Sequence, residues 1–434
     1  MIKRDLSIYD SLDSAGPEEV RKAQDTLLRE HIAYMASSSP YYRELFESEG
    51  INASEIGLDD LGSLPFTDKS ALEERNDDFL AASPESIGDI VLSSGTTGRP
   101  TRMMYSDSDL ERLAYNEKVA MGRLGIGPGD VALLTCTMDR CFIAGLAYYA
   151  GIRAVGAAAV RNGVNSPASH MEVIKRMDPS VLVGVPSFLL KLGQYMKAEG
   201  LDPGSLRART LVCIGEPLRG RDMKMQRLGA ELEKLWDARA YSTYASSETV
   251  TTFCECTEQA GGHLHPALGI VEIVDDEGRV LPPGEAGEVV MTPLMMEGMP
   301  LLRFRTGDVS FLLEGTCACG RSAQRLGPVI GRKKQMIKCH GTTLYPPAVF
   351  AALDDIDAVG EYYMVVDSDY ELSDKIEVHV ATTDSACTSA YIAEKLQARL
   401  RVKPVVLIEP EDALRKVVYD PASRKPIRFI DRRG

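Results

Sequence analysis

The sequence predicts an α/β protein with a large N-terminal domain of mainly parallel sheets plus a β-rich subdomain, followed by a small α+β C-terminal domain. Three observations predict it. Short apolar runs, Val131–Thr135, Val181–Val185 and Leu211–Ile214, alternate with helix-length segments, the pattern of parallel βαβ units. From about residue 268 the texture changes to short strands and turns, with Ile270–Val274, Val289–Thr292 and Val309–Leu313 as the strands. Residues 331–335 then carry a glycine followed only by polar or basic side chains, which reads as a hinge. The expected boundaries are 1–331 and 332–434. At 434 residues the chain exceeds one compact core, and the roughly 100 residues past the hinge are an ordinary domain size.

Each element follows from its own residues. Residues 16–37 read as a helix, with Pro17 near its start, acidic Glu18 and Glu19 in the first turn, and apolar spacing at Leu27, Leu28, Ile32 and Met35. Tyr41–Ser48 is a second short helix. Asp68–Leu80 looks helical and leads to Asp89–Leu92, the end of a buried strand. Asp107–Leu124 is a long helix, apolar at Leu110, Leu113, Val119 and Met121. Gly125–Asp130 is a turn into the strand at Val131. The Ala/Gly-rich stretch 144–160 alternates close-packed helix with strand. Past the hinge, Lys375–Val380 alternates as a half-exposed strand, and Ile392, Leu396 and Leu400 mark one helix face. No internal repeat or low-complexity tract is visible.

Hydrophobic content of 44% and charged content of 26% are those of a soluble globular protein. A net charge of −14 argues against non-specific nucleic-acid binding, although an acidic protein can bind a nucleotide through a local loop. No leader is expected behind Met1–Asp5, and no apolar run suggests a membrane span. Nine scattered cysteines favour a reducing, cytoplasmic setting with thiols or metal ligands over a disulfide framework.

The densest chemical signal is Ser93-Ser94-Gly95-Thr96-Thr97-Gly98-Arg99-Pro100-Thr101. Glycines let a backbone approach a ligand, and N–H groups with Ser/Thr hydroxyls can ring a phosphate. It is not the Gly-x-x-x-x-Gly-Lys-Ser/Thr loop, because Arg99 follows Gly98 and Pro100 disfavours a helix continuing from it. An ordinary Ser/Gly turn is the alternative. In parallel sheets ligands bind at the carboxyl ends of strands. The loop at 93, Val185-Pro186-Ser187, Gly215-Glu216-Pro217 and Tyr244–Glu248 all follow strands, so they can share one crevice.

The loop resembles the phosphate-binding signature of the adenylate-forming (acyl-CoA synthetase/luciferase-like) superfamily. Later segments are similar to the same family in the same order: Tyr244-Ala245-Ser246-Ser247-Glu248, Phe304-Arg305-Thr306-Gly307-Asp308, the hinge run Gly331–Lys338, and Lys425 before Arg428–Asp431. Pro40–Arg43, Leu64-Pro65-Phe66-Thr67-Asp68-Lys69, Gly215-Glu216-Pro217 and Leu344-Tyr345-Pro346 resemble the phenylacetate-CoA ligase branch. The resemblance covers nearly the whole chain.

It implies an AMP-forming acid–thiol ligase. A carboxylic acid, aryl and phenylacetate-like, attacks the α-phosphorus of ATP, and the acyl group then passes to coenzyme A. Alternatives are a carrier-protein thiol or a deazaflavin coenzyme as acceptor, or a non-catalytic nucleotide-binding regulator. Under the resemblance Ser93, Ser94, Gly95, Thr96, Thr97 and Gly98 hold phosphates, Ser247 contacts the α-phosphate, and Glu248 carries Mg2+, a hard cation that prefers oxygen. Gly215, Glu216 and Pro217 lie on the adenine side, and Tyr244 is a further ATP/AMP-binding residue. Asp308 binds the ribose hydroxyls and Arg332 the ribose and phosphate. Lys425 is the catalytic lysine, and Lys334 the hinge of a mobile C-terminal lid. Ser242 stands where relatives carry Asp, Ala245 where Gly is usual, Gln335 where Asp is commoner, and His340 where Arg is common. The resemblance also allows a homodimer.

Cys317-Ala318-Cys319-Gly320-Arg321 resembles the Cys-x-Cys-Gly-Arg of zinc-bearing members of this branch. The resemblance implies Cys256 and His263 as the other ligands, giving a Cys3His set of the kind usual for structural zinc. Cys254 and His265 are alternate ligands, and unligated thiols are the other reading. For the acid pocket, Phe142 matches a family phenylalanine, and Pro186 lies at a strand end. Arg140 suits a substrate with an extra anionic group if it turns inward. Otherwise Asp139 and Arg140 are a solvated pair.

Overall fold

The computed structural model describes residues 5–93, 101–339, 342–369, 373–419 and 426–433, with the side chains of 369 and 373 set aside. Ser94, Gly95, Thr96, Thr97 and Gly98 of the phosphate loop, His340 and Lys425 lie outside the described residues. The chain divides into two compact units, residues 1–306 with 310–328 and residues 307–309 with 329–434.

The first unit begins with helices α1 (Pro17–Ser38) and α2 (Pro40–Ser48), each opened by proline at a position where its missing N–H costs nothing. Leu27, Leu28, Ile32 and Met35 are buried along α1, at the spacing the sequence predicts. The stretch 68–80 is a correction. Helix α3 (Lys69–Glu74) stops at Arg75, and only a 3-10 turn follows at Asn76–Phe79. Asn76 explains the break: its side-chain amide donates to the carbonyls of Leu72 and Arg102, competing with the helical ladder.

Strands β1 (Ile87–Leu92) and β2 (Arg102–Ser106) form an antiparallel hairpin around the 93–101 loop. The buried strand expected at Asp89–Leu92 is therefore corrected. Val91 packs inward, while Ile90 and Leu92 are exposed, because this two-stranded sheet is covered on one face and lies outside the parallel sheet.

Helix α4 (Asp107–Arg123) starts with a Ser106/Asp109 capping box. Then follow β3 (Val131–Leu134), α5 (Ala144–Ala154), β4 (Ala158–Arg161), α6 (Pro167–Met177), β5 (Val181–Gly184), α7 (Pro186–Ala198), β6 (Thr210–Ile214), α8 (Arg227–Trp236), β7 (Arg239–Ser246), β8 (Thr251–Cys254) and β9 (Gly262–His263). β4, β3, β5, β6 and β7 are parallel neighbours in that order, and β8 and β9 continue the sheet antiparallel. The α/β expectation holds. Leu133, Leu182 and Leu211 on one face, and Ala132, Val183 and Val212 on the other, are wholly buried, as strands covered on both sides require.

The β-rich part carries β10 (Gly269–Val274), β11 (Gly287–Pro293), β12 (Phe304–Ser310), β13 (Leu312–Leu313) and β14 (Arg325–Leu326). The strand expected over Val309–Leu313 is split at Phe311. In the second unit, β15 (Gly331–Arg332) pairs antiparallel with Asp308 and Val309. Hairpin β16 (Ile337–Cys339) and β17 (Thr342–Leu344) leads to α9 (Pro346–Asp354). A four-stranded sheet in the order β20 (Val405–Ile408), β19 (Ser373–Thr382), β18 (Val359–Asp369), β21 (Phe429–Asp431) then carries α10 (Ser389–Leu400) and α11 (Glu411–Val418). Ile376, Val378 and Val380 are buried on β19, with more exposed residues between them.

Candidate active site

Three of the predicted segments come together because β5, β6 and β7 are parallel neighbours and the segments leave their carboxyl ends. Gly215 ends β6 with φ +75°, a turn that favours glycine. The adjoining Glu216 carboxylate accepts from the Ser187 backbone N–H at 2.9 Å and hydroxyl at 2.8 Å. Pro186 opens α7, which has no cap of its own. Glu216 therefore supplies the acceptor that the helix start lacks, fixing Pro186 against the turn at Gly215.

The Tyr244–Glu248 segment is held from three sides. Tyr105 Oη on β2 donates to the Ser247 carbonyl at 2.5 Å. Buried Arg112 on α4 donates to the Val250 carbonyl at 2.6 Å and to the Thr251 hydroxyl at 3.0 Å. Val250 has φ +47°, so this turn is pinned in a conformation that a β-branched residue rarely takes. Glu248 is 5% exposed, and the Lys69 ammonium lies 2.8 Å from its Oε1. A carboxylate so buried is costly without such a charge.

The 93–101 segment joins the strands of a hairpin rather than following a strand of the parallel sheet. Its described ends are paired, Ser93 N–H donating to the Thr101 carbonyl at 2.8 Å. The buried Ser93 hydroxyl has no partner among the described residues. One helical turn beyond Lys69, Glu73 accepts from the Thr101 hydroxyl at 3.1 Å. Helix α3 thus touches both the loop and the Glu248 motif. Sequence reasoning quoted the Leu64–Lys69 run but gave Lys69 no role, and it passed over Tyr105, Arg112 and Glu73. A buried charge facing a carbonyl has no signature in one sequence.

At the segment expected to line the acid pocket, the Leu92 N–H donates to the Cys141 carbonyl at 2.8 Å, tying the 138–142 loop to the hairpin. Arg140 and Cys141 both have positive φ. The Arg140 side chain is 59% exposed and lies 4.0 Å from Asp139, the solvated arrangement of the two readings. Phe142 is half-buried. Gly145 lets α5 abut this loop, because a Cβ there would lie 2.2 Å from the Thr137 carbonyl.

At Ser242, where an Asp stands in relatives, the backbone N–H donates to Glu255 Oε2 at 2.8 Å, while Glu255 Oε1 takes Arg219 Nε at 2.7 Å. In the second unit, Asp308 is buried and accepts from Arg332 Nε at 3.0 Å. Lys334 lies in the 3-10 turn Lys333–Gln335.

Cys256, His263, Cys317 and Cys319 converge, their ligand atoms all within 4.8 Å of one another. The Cys256 and Cys317 sulfurs are 3.8 Å apart, and Cys319 Sγ is 3.6 Å from His263 Nε2. Burial, with Arg123 beside it, lowers the His263 pKa to about 3, so the ring is neutral and able to ligate. Of the alternates, His265 instead meets the Tyr115 hydroxyl at 3.3 Å, and Cys254 is buried on β8. Neither belongs to the group of four.

The chain is similar to known proteins over most of its length. The AMP-binding enzyme family matches residues 13–298. The phenylacetate-coenzyme A ligase of Thermus thermophilus is 30% identical over 379 residues, spanning 86% of this chain and 84% of its own. That of Escherichia coli is 25% identical over 417 residues, spanning 93% and 92%. A 2-hydroxyisobutyryl-CoA ligase crystallised in its postadenylation state with 2-HIB-AMP matches 98% of this chain and 92% of its own, with a TM-score of 0.84 at 22% identity, a likeness of fold.

Proposed function

The chain belongs to the AMP-binding enzyme family, and from that premise we propose that it is an ATP-dependent, AMP-forming ligase that adenylates an aryl, phenylacetate-like acid and passes the acyl group to coenzyme A. The observation that carries this reading is the alignment with phenylacetate-coenzyme A ligases over most of both chains.

A carboxylate is a weak nucleophile, so catalysis rests on placing it against the α-phosphorus and neutralising the charge that grows there. In this reading Ser247 and the 93–98 loop bind phosphate oxygens, and the unpartnered Ser93 hydroxyl is one such donor. The backbone at Gly215–Pro217, with Tyr244, faces the nucleobase, while the Glu216 side chain holds the start of α7. Phe142 and Pro186 line the acid pocket, with Arg140 at its margin. Asp308 and Arg332 take the ribose, their mutual ion pair being exchangeable for hydroxyl contacts. Lys425 bridges acid and α-phosphate. Lys334 is the hinge between a 1–331 domain and a 332–434 lid.

Glu248 would hold Mg2+, since a buried carboxylate fits a hard cation, and the ion supplies neutralisation of phosphate charge. Cys256, His263, Cys317 and Cys319 would hold structural zinc. A tetrahedral site with Zn–S about 2.3 Å and Zn–N about 2.0–2.1 Å has S···S edges of about 3.8 Å and S···N edges of about 3.5 Å. The Cys256–Cys317 and Cys319–His263 separations, 3.8 Å and 3.6 Å, are close to those lengths. We place the enzyme in the cytoplasm, as a possible homodimer in form, acting on small molecules rather than nucleic acid or membrane. No described helix is long and apolar enough to cross a membrane.

The test is pyrophosphate release from ATP across a panel of aryl and aliphatic acids, with acyl-CoA scored by mass. Aryl acids should release pyrophosphate and yield acyl-CoA. Pyrophosphate without coenzyme A dependence would transfer the reading to another acceptor, such as a carrier-protein thiol or a deazaflavin coenzyme. No pyrophosphate with any acid would leave only a nucleotide-binding regulator.

A further inference from the structure

We propose that Lys69 is a reserved counter-ion for Glu248. It occupies the carboxylate until phosphate oxygens of the nucleotide arrive, then passes to the triphosphate and leaves the carboxylate to a divalent ion. The inference rests on the reading of Glu248 as the magnesium ligand.

Lys69 is the first residue of α3, whose start is fixed by Asp68, the carboxylate accepting from the Ala71 N–H at 2.9 Å. From there its side chain, 21% exposed, reaches Glu248 Oε1 at 2.8 Å. At Glu248 the approach is a charge contact and not an aligned hydrogen bond, since Oε1 has no hydrogen-bond partner among the described residues. Lysine suits this part, being a compact charge with three donors on a flexible stem.

A divalent ion and an ammonium cannot both rest on one carboxylate oxygen, because their charges repel at contact distance. Magnesium also gives up water reluctantly and is usually bound by one or two carboxylates together with substrate phosphates. Lys69 thus opposes metal entry until phosphate oxygens arrive to receive the ammonium. Glu73, a turn further along α3, contacts Thr101 at the end of the 93–101 loop. The helix that carries Lys69 therefore adjoins the described end of the phosphate-binding segment, which puts Lys69 beside the place where phosphate oxygens would arrive.

The test uses the full chain and two binding measurements. Manganese is titrated without nucleotide, by electron paramagnetic resonance, into wild type, Lys69→Met and the double variant Lys69→Met/Glu248→Gln. Lys69→Met should bind manganese about tenfold or more tightly than wild type, and the double variant should lose that gain. ATP is then titrated in EDTA. Lys69→Met should bind metal-free ATP about tenfold or more weakly, and Lys69→Arg should recover most of the loss. Melting curves for Lys69→Met and Lys69→Gln check the fold. Equal manganese affinity in wild type and Lys69→Met overturns the counter-ion role, and unchanged metal-free ATP affinity overturns the transfer. Failure of wild type to bind ATP under any condition would instead sink the enzyme reading, while the manganese comparison needs no nucleotide.

Discussion

Glu216 illustrates how one side chain serves two segments. Both its oxygens are taken by Ser187, so it works at the start of α7. Glu216→Ala removes the acceptor for two donors, and losing such a cap costs about 0.5–2 kcal/mol. The expected outcome is a lower melting temperature and a KM for the acid that rises more than the KM for ATP, because Pro186 loses its anchor. An unchanged acid KM would show that α7 is held by other contacts. Glu117 is a second case. Burial raises its carboxyl pKa to about 7, against hydrogen bonds from Thr252 and Asn116. Its folded pKa lies above the unfolded value of about 4.3. The proton-bound state is thus favoured by folding, and the associated stability is present below about pH 4 and lost as pH rises through about 7. Glu117→Gln should match wild type in melting temperature at pH 4–5 and exceed it by pH 8. A difference that does not change with pH would contradict the assignment.

At the scale of elements, the four-ligand group shows why a metal is expected. Cys256 follows β8, His263 lies on the two-residue strand β9, and Cys317 and Cys319 lie between the two-residue strands β13 and β14. Strands this short bury too little to hold themselves together. The group is also tied outward: Arg321 donates to Asp13 at 2.5 Å, and Arg123 joins Asp13 to the His263 carbonyl. Purified protein should carry about one zinc per chain by elemental analysis. Cys317→Ser should lower both the metal content and the melting temperature, because site formation is coupled to folding. Metal-free protein with an unchanged melting curve would reject the site.

At the scale of the whole molecule, two half-reactions make separate demands. Lys425→Ala should slow acyl-adenylate formation by roughly 10²-fold or more, the scale of one lost electrostatic donor. It should leave conversion of supplied acyl-adenylate to thioester near wild type. Lys334→Pro should do the reverse, because proline would stiffen the hinge proposed at Lys334. Equal slowing of both steps by Lys425→Ala would refute the division of labour. Single-turnover kinetics with each half-reaction isolated makes the measurement.

The sequence by itself determined the α/β class, the parallel βαβ units, the strand-end segments at 186, 215 and 244–248, and six Cys and His candidates for a metal, which the family resemblance narrowed to four. The class and the segments follow from periodicity and from chemistry concentrated in short runs, both written along the chain. Tertiary structure alone decided which faces were covered. Ile90-Val91-Leu92 reads as a buried run, yet only Val91 packs inward, because β1 has one neighbour and one covered face. It also decided the partners of buried charges. Lys69 and Glu248 lie 179 positions apart and meet at 2.8 Å, Arg112 reaches Val250, and Glu216 reaches Ser187. A charge must find its counterpart wherever the fold puts it, since burial without one is costly. The pairing is therefore a property of packing, which no local pattern encodes.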